Sequence, residues 1–275
     1  MISVIRSGMN ASLKQLDVLS HNIANAKTTG FKKSQAVFED IYAQKVSFGP
    51  SGKIGHGALS SDVRMMRSQG ALEETGQVLD LAIEGEGMFI VGAAGNNLEA
   101  DAYFTRDGSF ELDKAGFISS SEGLRLKSIT MGDIQIPKSI TEGDNILFLS
   151  SLSIDETGSV NAQFGENLSR VIDQVGMAQF SDINQLQENG RNLFRATNAS
   201  GTAEVAAPFT GANGKIMSGA LEMSNINMTR ELTTMIQAQQ AFSGSSRLLQ
   251  SETEMLRRLI GCLLYTSPSP RDGLL

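Results

Sequence analysis

The sequence predicts an α+β fold in which long N- and C-terminal helices pair in a coiled-coil-like bundle, with a central, mainly antiparallel β domain between them. Three observations carry this reading. Apolar residues repeat with a period near 3.5 at both ends of the chain, they alternate with a period of 2 in between, and glycine outnumbers proline 28 to 5. The first pattern makes a helix stripe and the second a half-buried strand. Abundant glycine with little proline fits glycine turns in antiparallel structure.

In the first segment, residues 1–45, expected to be an N-terminal helical assembly segment, Ile2, Ile5, Met9, Leu16, Leu19 and Ile23 fall at spacings of 3, 4, 7, 3 and 4, and Ser12 alone interrupts the a/d stripe. The run stops at Thr28-Thr29-Gly30, where two β-branched residues and a glycine end a helix. A helix over residues 3–25 would be about 35 Å long.

The central segment, residues 46–221, changes period. Leu79, Leu81 and Ile83 alternate with Asp80, Ala82 and Glu84, and Gly85-Glu86-Gly87 turns the chain into Met88-Phe89-Ile90-Val91. Short strands over 102–105, 109–112 and 117–119 are separated by the turns Asp107-Gly108 and Lys114-Ala115-Gly116. A hairpin follows over 152–154 and 160–164, and one further strand over 171–180. Residues 46–70 and 181–220, rich in Gly, Ser and Asn, give no such pattern.

In the closing segment, residues 222–260, Met228, Leu232, Met235, Phe242, Leu249, Leu256 and Ile260 occupy seven of ten successive a/d positions. Gln239, Ser246 and Thr253 fill the rest, so the helix is a weak zipper alone. It calls for partners. Asn225 and Asn227 lie where an N-cap belongs, and Glu231 suits a first turn. From Gly261 to Leu275 the heptad is lost and two of the five prolines appear. This tail is expected to be translated adapter or out-of-frame sequence, outside the fold.

Composition narrows the function. The net charge of -7 disfavours a general nucleic-acid binder. The charge is uneven: residues 1–45 carry +3, residues 46–221 carry -10 and residues 222–260 are neutral. A basic arm meeting an acidic surface on a neighbouring copy would use that division; so would ordinary solvated surface. Cys262 is the only cysteine, which excludes an intramolecular disulfide. No stretch reaches the roughly 18 apolar residues of a membrane span, and the start, Met1 to Arg6, does not read as a cleavable signal peptide.

No reaction centre is expected: no catalytic residue, cofactor or metal site. Only His21 and His56 could serve a triad; one lies on the first helix and the other between glycines. Gly85-x-Gly87 has Ile90 where a dinucleotide loop needs its third glycine. Gly52-Lys53 and Gly214-Lys215 lack the upstream glycine and the following Ser or Thr of a phosphate loop.

The segment Asn22 to Lys32, with its Asn-x-Ala-Asn and Thr-x-Gly-Phe-Lys residues, and the segment Ser224 to Leu256 resemble the bacterial flagellar rod and hook (basal body) axial protein family. Asn22-Ile23-Ala24-Asn25-Ala26-Lys27-Thr28-Thr29-Gly30-Phe31-Lys32 is similar to its N-terminal signature, Asn-x-Ala-Asn followed by Thr-x-Gly-Phe-Lys. The stretch from Ser224 through Met235-Ile236-Gln237-Ala238-Gln239-Gln240-Ala241-Phe242 to Leu256 is similar to its closing helix. Asp80 to Phe89 and Phe104 to Phe110 add matches in the right order. Val37-Phe38-Glu39-Asp40 looks more like the distal rod type, and Ile216 to Glu222 more like the proximal rod type.

The resemblance implies a structural subunit that polymerises into the axial drive shaft passing torque from motor to hook, with distal rod favoured over proximal rod or hook. It implies partners in further copies of the chain, in adjacent rod and hook proteins and in the type III export apparatus. The location would be the periplasm-spanning rod, reached without a cleaved signal peptide. The assembly residues would be Asn22, Asn25, Thr28, Gly30 and Phe31 with Met228, Leu232, Met235, Phe242, Leu249 and Leu256. Asn22 and Asn25 would hydrogen-bond at a helix end, Gly30 would permit the turn, and Phe31 would plug a contact between subunits; capping within one subunit is the alternative. A secreted β-scaffold binding module or enzyme is the competing class, and a closed concave pocket with self-contained termini would favour it.

Overall fold

The computed structural model describes residues 2–43, 54–95, 102–142, 145–165, 168–211 and 213–264. The chain divides into two compact units. The first comprises Met1–Ala24, Ser34–Met66 and Asn227–Leu275, and the second Asn25–Lys33 and Arg67–Ile226.

The first unit holds helix α1 (Ile2–Ala24), strands β1 (Ser34–Ala43) and β2 (Ile54–Met65), and helix α2 (Met228–Leu264). α1 packs against α2 and against both strands. Ser12, the interruption in the N-terminal stripe, is itself buried, and its hydroxyl is satisfied by the Gly8 carbonyl at 3.0 Å. A serine that bonds back one turn joins a packed face at little cost, so the stripe is continuous.

α2 starts at the cap that the residues announce. Asn227 Oδ1 accepts the Arg230 N–H at 3.1 Å, and Glu231 stands in the first turn. The helix runs on to Leu264, past the change of character at Gly261, while residues 265–275 lie outside the described residues. Its most covered positions are Glu231 and Ala238, one heptad apart, with Met235, Phe242 and Leu249 half-buried beside them. The covered face is therefore rotated about one residue from the heptad stripe. Met228, Leu232 and Leu256 stay exposed because the apolar arc of α2 is broader than the face its own chain covers.

β1 and β2 form an antiparallel ribbon from Ser34↔Met65 to Ala43↔Ile54. Residues 34–43 correct an expectation: they belong to the segment 1–45 expected to be helical and form a strand instead, and residues 54–65 lie where no pattern was found. The ribbon's irregularities at Val37/Phe38 and Asp40/Tyr42 break the period of 2 that marks a strand.

The second unit is built from short strands. β3 (Leu72–Glu74), β4 (Leu81–Glu84), β5 (Met88–Gly92), β6 (Tyr103–Thr105), β7 (Phe110–Leu112), β8 (Ile118–Ser120) and β9 (Arg125–Leu126) come first. β10 (Ser139–Glu142), β11 (Asn145–Ile154), β12 (Ser159–Phe164) and β13 (Leu168–Gln174) follow. β14 (Met177–Gln179), β15 (Gln187–Glu188), β16 (Leu193–Arg195), β17 (Glu204–Ala206), β18 (Lys215–Ser218) and β19 (Ala220–Glu222) complete the unit.

The largest sheet has the order β15-β16-β6-β5-β9-β8-β7, with β14 pairing β5 and β17. β10 to β13 form a four-stranded meander, β18 pairs β4, and β19 pairs β3. The strand pairings among the described residues are antiparallel, as the central pattern implied. One expectation needs correction: residues 171–180 are two strands in different sheets. Between them the Gly176 N–H donates to the Lys127 carbonyl at 3.1 Å, and a Cβ there would lie 2.6 Å from the Ser128 carbonyl oxygen. The chain changes sheets where only glycine fits.

Phe89 and Val91 of β5 share one core with Ile134 and Ile136 and with Val160, Ala162 and Phe164 of β12. The Phe89 and Phe110 rings meet edge to face at 5.5 Å. At the margin of this core Lys127, 1% exposed, pairs with Asp133, which also accepts from Arg125 Nη1 at 2.7 Å and the Gly95 N–H at 2.9 Å. Burial alone would raise the Asp133 pKa; the bonds from Lys127, Arg125 and the Gly95 amide outweigh it and hold the carboxyl at about 2.

Candidate functional site

The segment between α1 and β1 carries the Asn-x-Ala-Asn and Thr-x-Gly-Phe-Lys residues. In the first unit Asn22 is 1% exposed. Its Oδ1 accepts the Ser34 N–H at 2.9 Å, and its Nδ2 donates to the Ser34 carbonyl at 2.8 Å and to Glu231 Oε2 at 3.3 Å. One amide side chain thus pins the start of β1 and reaches the first turn of α2. Only a side chain offering both a donor and an acceptor can serve both backbone groups of Ser34.

In the second unit Asn25 makes a local turn, its carbonyl accepting the Thr28 N–H at 3.1 Å and its Oδ1 the Thr28 hydroxyl at 3.3 Å. Thr29 Oγ1 donates to Asp107 Oδ1 at 2.8 Å, and Asn192 Nδ2 donates to the Thr29 carbonyl at 2.8 Å. The Gly30 N–H donates to the Glu222 carbonyl at 2.7 Å. Gly30 has φ +67°, and a Cβ on it would lie 2.5 Å from the Asp107 backbone nitrogen. Conformation and space both require glycine here.

Glu222 is the centre of this attachment, with a side chain that is 0% exposed. It pairs with the Lys32 ammonium through Oε1 and with Arg106 Nη1 through Oε2 at 3.1 Å, and its Oε1 also accepts the Gly70 N–H at 2.9 Å. Lys32 Nζ donates further to the Ser68 carbonyl at 3.0 Å, and Arg106 Nη2 to the Gly85 carbonyl at 2.7 Å. The Lys33 N–H donates to Asn225 Oδ1 at 2.8 Å, so Asn225 holds this segment while Asn227 caps α2. Burial pushes the Lys32 ammonium below its ordinary pKa; Glu222 opposes the shift, and Arg106 and Arg67 add to it. A buried carboxylate with two cations and an amide is strong in geometry and costly to break.

The Phe104–Phe110 motif now has a physical basis. Arg106 serves Glu222, and Asp107 receives Thr29 and the Ser109 N–H. At Gly108 a Cβ would overlap the Leu81 carbonyl, whose own N–H bonds the Gly108 carbonyl at 3.0 Å.

The structure brings Asn25, Thr28, Gly30 and Phe31 together in the second unit, and Asn22 with Met228, Leu232, Met235, Phe242, Leu249 and Leu256 in the first. Phe31 is 8% exposed within its own chain, which leaves little of the ring to plug a neighbour. The fastening of Gly30 to Glu222 turns the next residue inward. Glu222, Arg106, Asp107 and Asn192 were not singled out as site residues. The alternation of β19, Ala220 buried and Glu222 buried with Leu221 between, is the signal that could have exposed the carboxylate.

Exposed apolar side chains lie in the second unit, where Ile146, Phe148, Val171 and Phe209 are each more than 60% exposed, and along the helices. On α2 Leu232, Ile236, Leu248, Met255, Leu256, Leu259 and Ile260 are each more than 40% exposed, and on α1 so is Leu13. Among the described residues no cluster of His, Cys, Asp or Glu could hold a metal ion, and no helix is long and apolar enough to cross a membrane. His21 is exposed on α1; the His56 side chain lies outside the described set.

Three family models match the chain. "Flagella basal body rod protein" covers residues 2–32, "Flagellar hook protein FlgE/F/G D1 domain" residues 82–162, and "Flagellar basal body rod FlgEFG protein C-terminal" residues 217–261. The flagellar basal-body rod protein FlgG of Bacillus subtilis is 35% identical over 92% of this chain and 95% of its own length. FlgG of Agrobacterium fabrum is 32% identical over 92% and 95% of the two chains. The flagellar hook-basal body complex protein FlhP of Bacillus subtilis is 25% identical over 90% and 93%.

Proposed function

Because the chain belongs to the flagellar basal-body rod protein family, we propose that it is a distal rod subunit, polymerising into the axial shaft that transmits torque from motor to hook. The family is structural, and catalysis is no part of this reading. Its full-length similarity to proteins named FlgG favours the distal type, and the lower identity to FlhP places the hook-associated reading second.

One observation carries the mechanism: the apolar arc of α2 is broader than the face its own chain covers. Apolar side chains left exposed along a helix with heptad spacing suit it to helical neighbours. In the assembly α1 and α2 of successive copies pack in a coiled-coil-like tube, with Met228, Leu232 and Leu256 facing other copies and Met235, Phe242 and Leu249 at the seam within each copy. Asn22 acts indirectly, by holding β1 and the first turn of α2 within the first unit, and Asn25, Thr28 and Gly30 by seating their segment within the second. Adjacent rod and hook proteins complete the axis. The subunit leaves through the type III export apparatus without a cleaved signal peptide and resides in the periplasm-spanning rod.

Deleting the coding sequence in its host and restoring it on a plasmid tests this. The deletion strain is expected to be non-motile, with basal bodies lacking the distal rod, and the plasmid copy to restore both. A deletion strain that swims on complete basal bodies would contradict the assignment.

A further inference from the structure

Beside the Lys32–Glu222–Arg106 network, the second unit contains a cavity of about 350 Å³ lined by the cationic side chains of Lys32, Arg67 and Arg106, by Glu86 and by Phe194. Lys32 and Arg106 share the charge of Glu222. Arg67 differs: its Nε is buried without a hydrogen-bond partner among the described residues. The guanidinium lies over the Phe194 ring, with Cζ 5.2 Å from the centroid, so the group is held while its Nε donor remains to be used. A buried donor on a charged group is costly until an acceptor meets it, and carboxylate is the acceptor that matches the guanidinium fork.

We propose that this cavity is a carboxylate-binding site, and that its occupant is an Asp or Glu side chain of a second copy of this chain. The proposal rests on the assembly reading above. The volume admits one amino-acid side chain with its flanking atoms, far less than a folded partner would need. Glu188 and Asp182 act on Arg67 through space and Glu86 lines the cavity, so a singly charged ligand meets less repulsion than a phosphate would. The same chain supplies the ligand class. Residues 46–221 carry a net charge of -10, and carboxylates such as Glu73 and Glu74 on β3 are exposed. A cavity with a guanidinium donor unpaired among the described residues, facing an acidic surface of an identical subunit, is a heterologous contact, the kind that propagates a helical polymer.

The test observes the Arg67 Nε–H resonance in the full-length chain labelled with 15N-arginine, assigned by its loss in Arg67→Gln. In the soluble chain, N-acetylglutamate amide is expected to shift this resonance, while N-acetylglutamine amide and inorganic phosphate leave it in place. In the polymer the resonance is expected at the shifted position without added ligand, and Arg67→Gln, folded by circular dichroism, to polymerise slower by on the order of tenfold or more. A soluble-chain resonance that ignores the glutamate probe overturns the site. An equal shift with phosphate overturns the carboxylate assignment. A polymer whose Arg67 keeps the soluble-chain resonance overturns the second copy as occupant and leaves the assembly reading intact. A wild-type chain that never polymerises removes the second copy and the assembly reading together.

Discussion

Asn22 and Glu231, 209 positions apart in sequence, meet through a 3.3 Å hydrogen bond that ties the last turn of α1 to the first turn of α2. The same Asn22 holds both backbone groups of Ser34. Replacing Asn22 by Ala removes the partner of the part-buried Ser34 N–H and carbonyl, together worth about 1–3 kcal/mol. Asn22→Ala is therefore expected to loosen the first unit before the second. Hydrogen exchange of the soluble chain checks this: faster exchange across α1, β1 and α2, with the β5–β12 core unchanged.

Gly30→Ala is expected to destabilise the second unit by more than about 2 kcal/mol. The left-handed backbone alone costs a non-glycine residue about 1–2 kcal/mol, and the new Cβ overlaps the Asp107 backbone. Urea midpoints of wild type and variant measure it, and an unchanged midpoint would show that the segment is not seated as described.

Glu222→Gln leaves Lys32 and Arg106 facing a neutral amide and is expected to cost about 3–5 kcal/mol. Lys32→Met combined with Glu222→Gln should cost less than the sum of the two single changes, because the groups act as one network. A double-mutant cycle in denaturant reads the coupling.

Asp133 supplies a pH dependence. Its folded pKa of about 2 lies below the ordinary carboxyl value of 3.8, so the unfolded chain takes up the proton first as pH falls. The stability from this site is complete above about pH 4 and is lost as pH falls from there through 2. Asp133→Asn is expected to be least stable relative to wild type at neutral pH, with the gap narrowing below about pH 4. Urea midpoints at a series of pH values would show that narrowing, and a constant gap would contradict it.

The helices and the β5–β8 meander were legible because their signals are local: spacings of 3 and 4 in α1 and α2, alternation and glycine turns in the meander. Gly30 was legible for the same reason, since a left-handed residue after Thr28-Thr29 is a property of a few neighbours. Glu222 was not, because its partners Lys32 and Arg106 stand 190 and 116 positions away and no local pattern records them. The β1–β2 ribbon was hidden by its two register irregularities, and the split between β13 and β14 by apolar residues that continue across Gly176. Phe31 shows a third limit. Its motif neighbours point to assembly, yet the ring is buried in its own chain, so truncation would act first on folding.

The central claim is that the uncovered face of α2 joins subunits into a polymer. Ile236 is 55% exposed on that face, so Ile236→Asp removes apolar surface and adds charge without touching the core of either unit. Electron microscopy of concentrated protein, with circular dichroism as the control for folding, is the most direct measurement. The account predicts helical tubes from the wild-type chain and dispersed, folded monomers from Ile236→Asp; tubes forming equally well from the folded variant would contradict it.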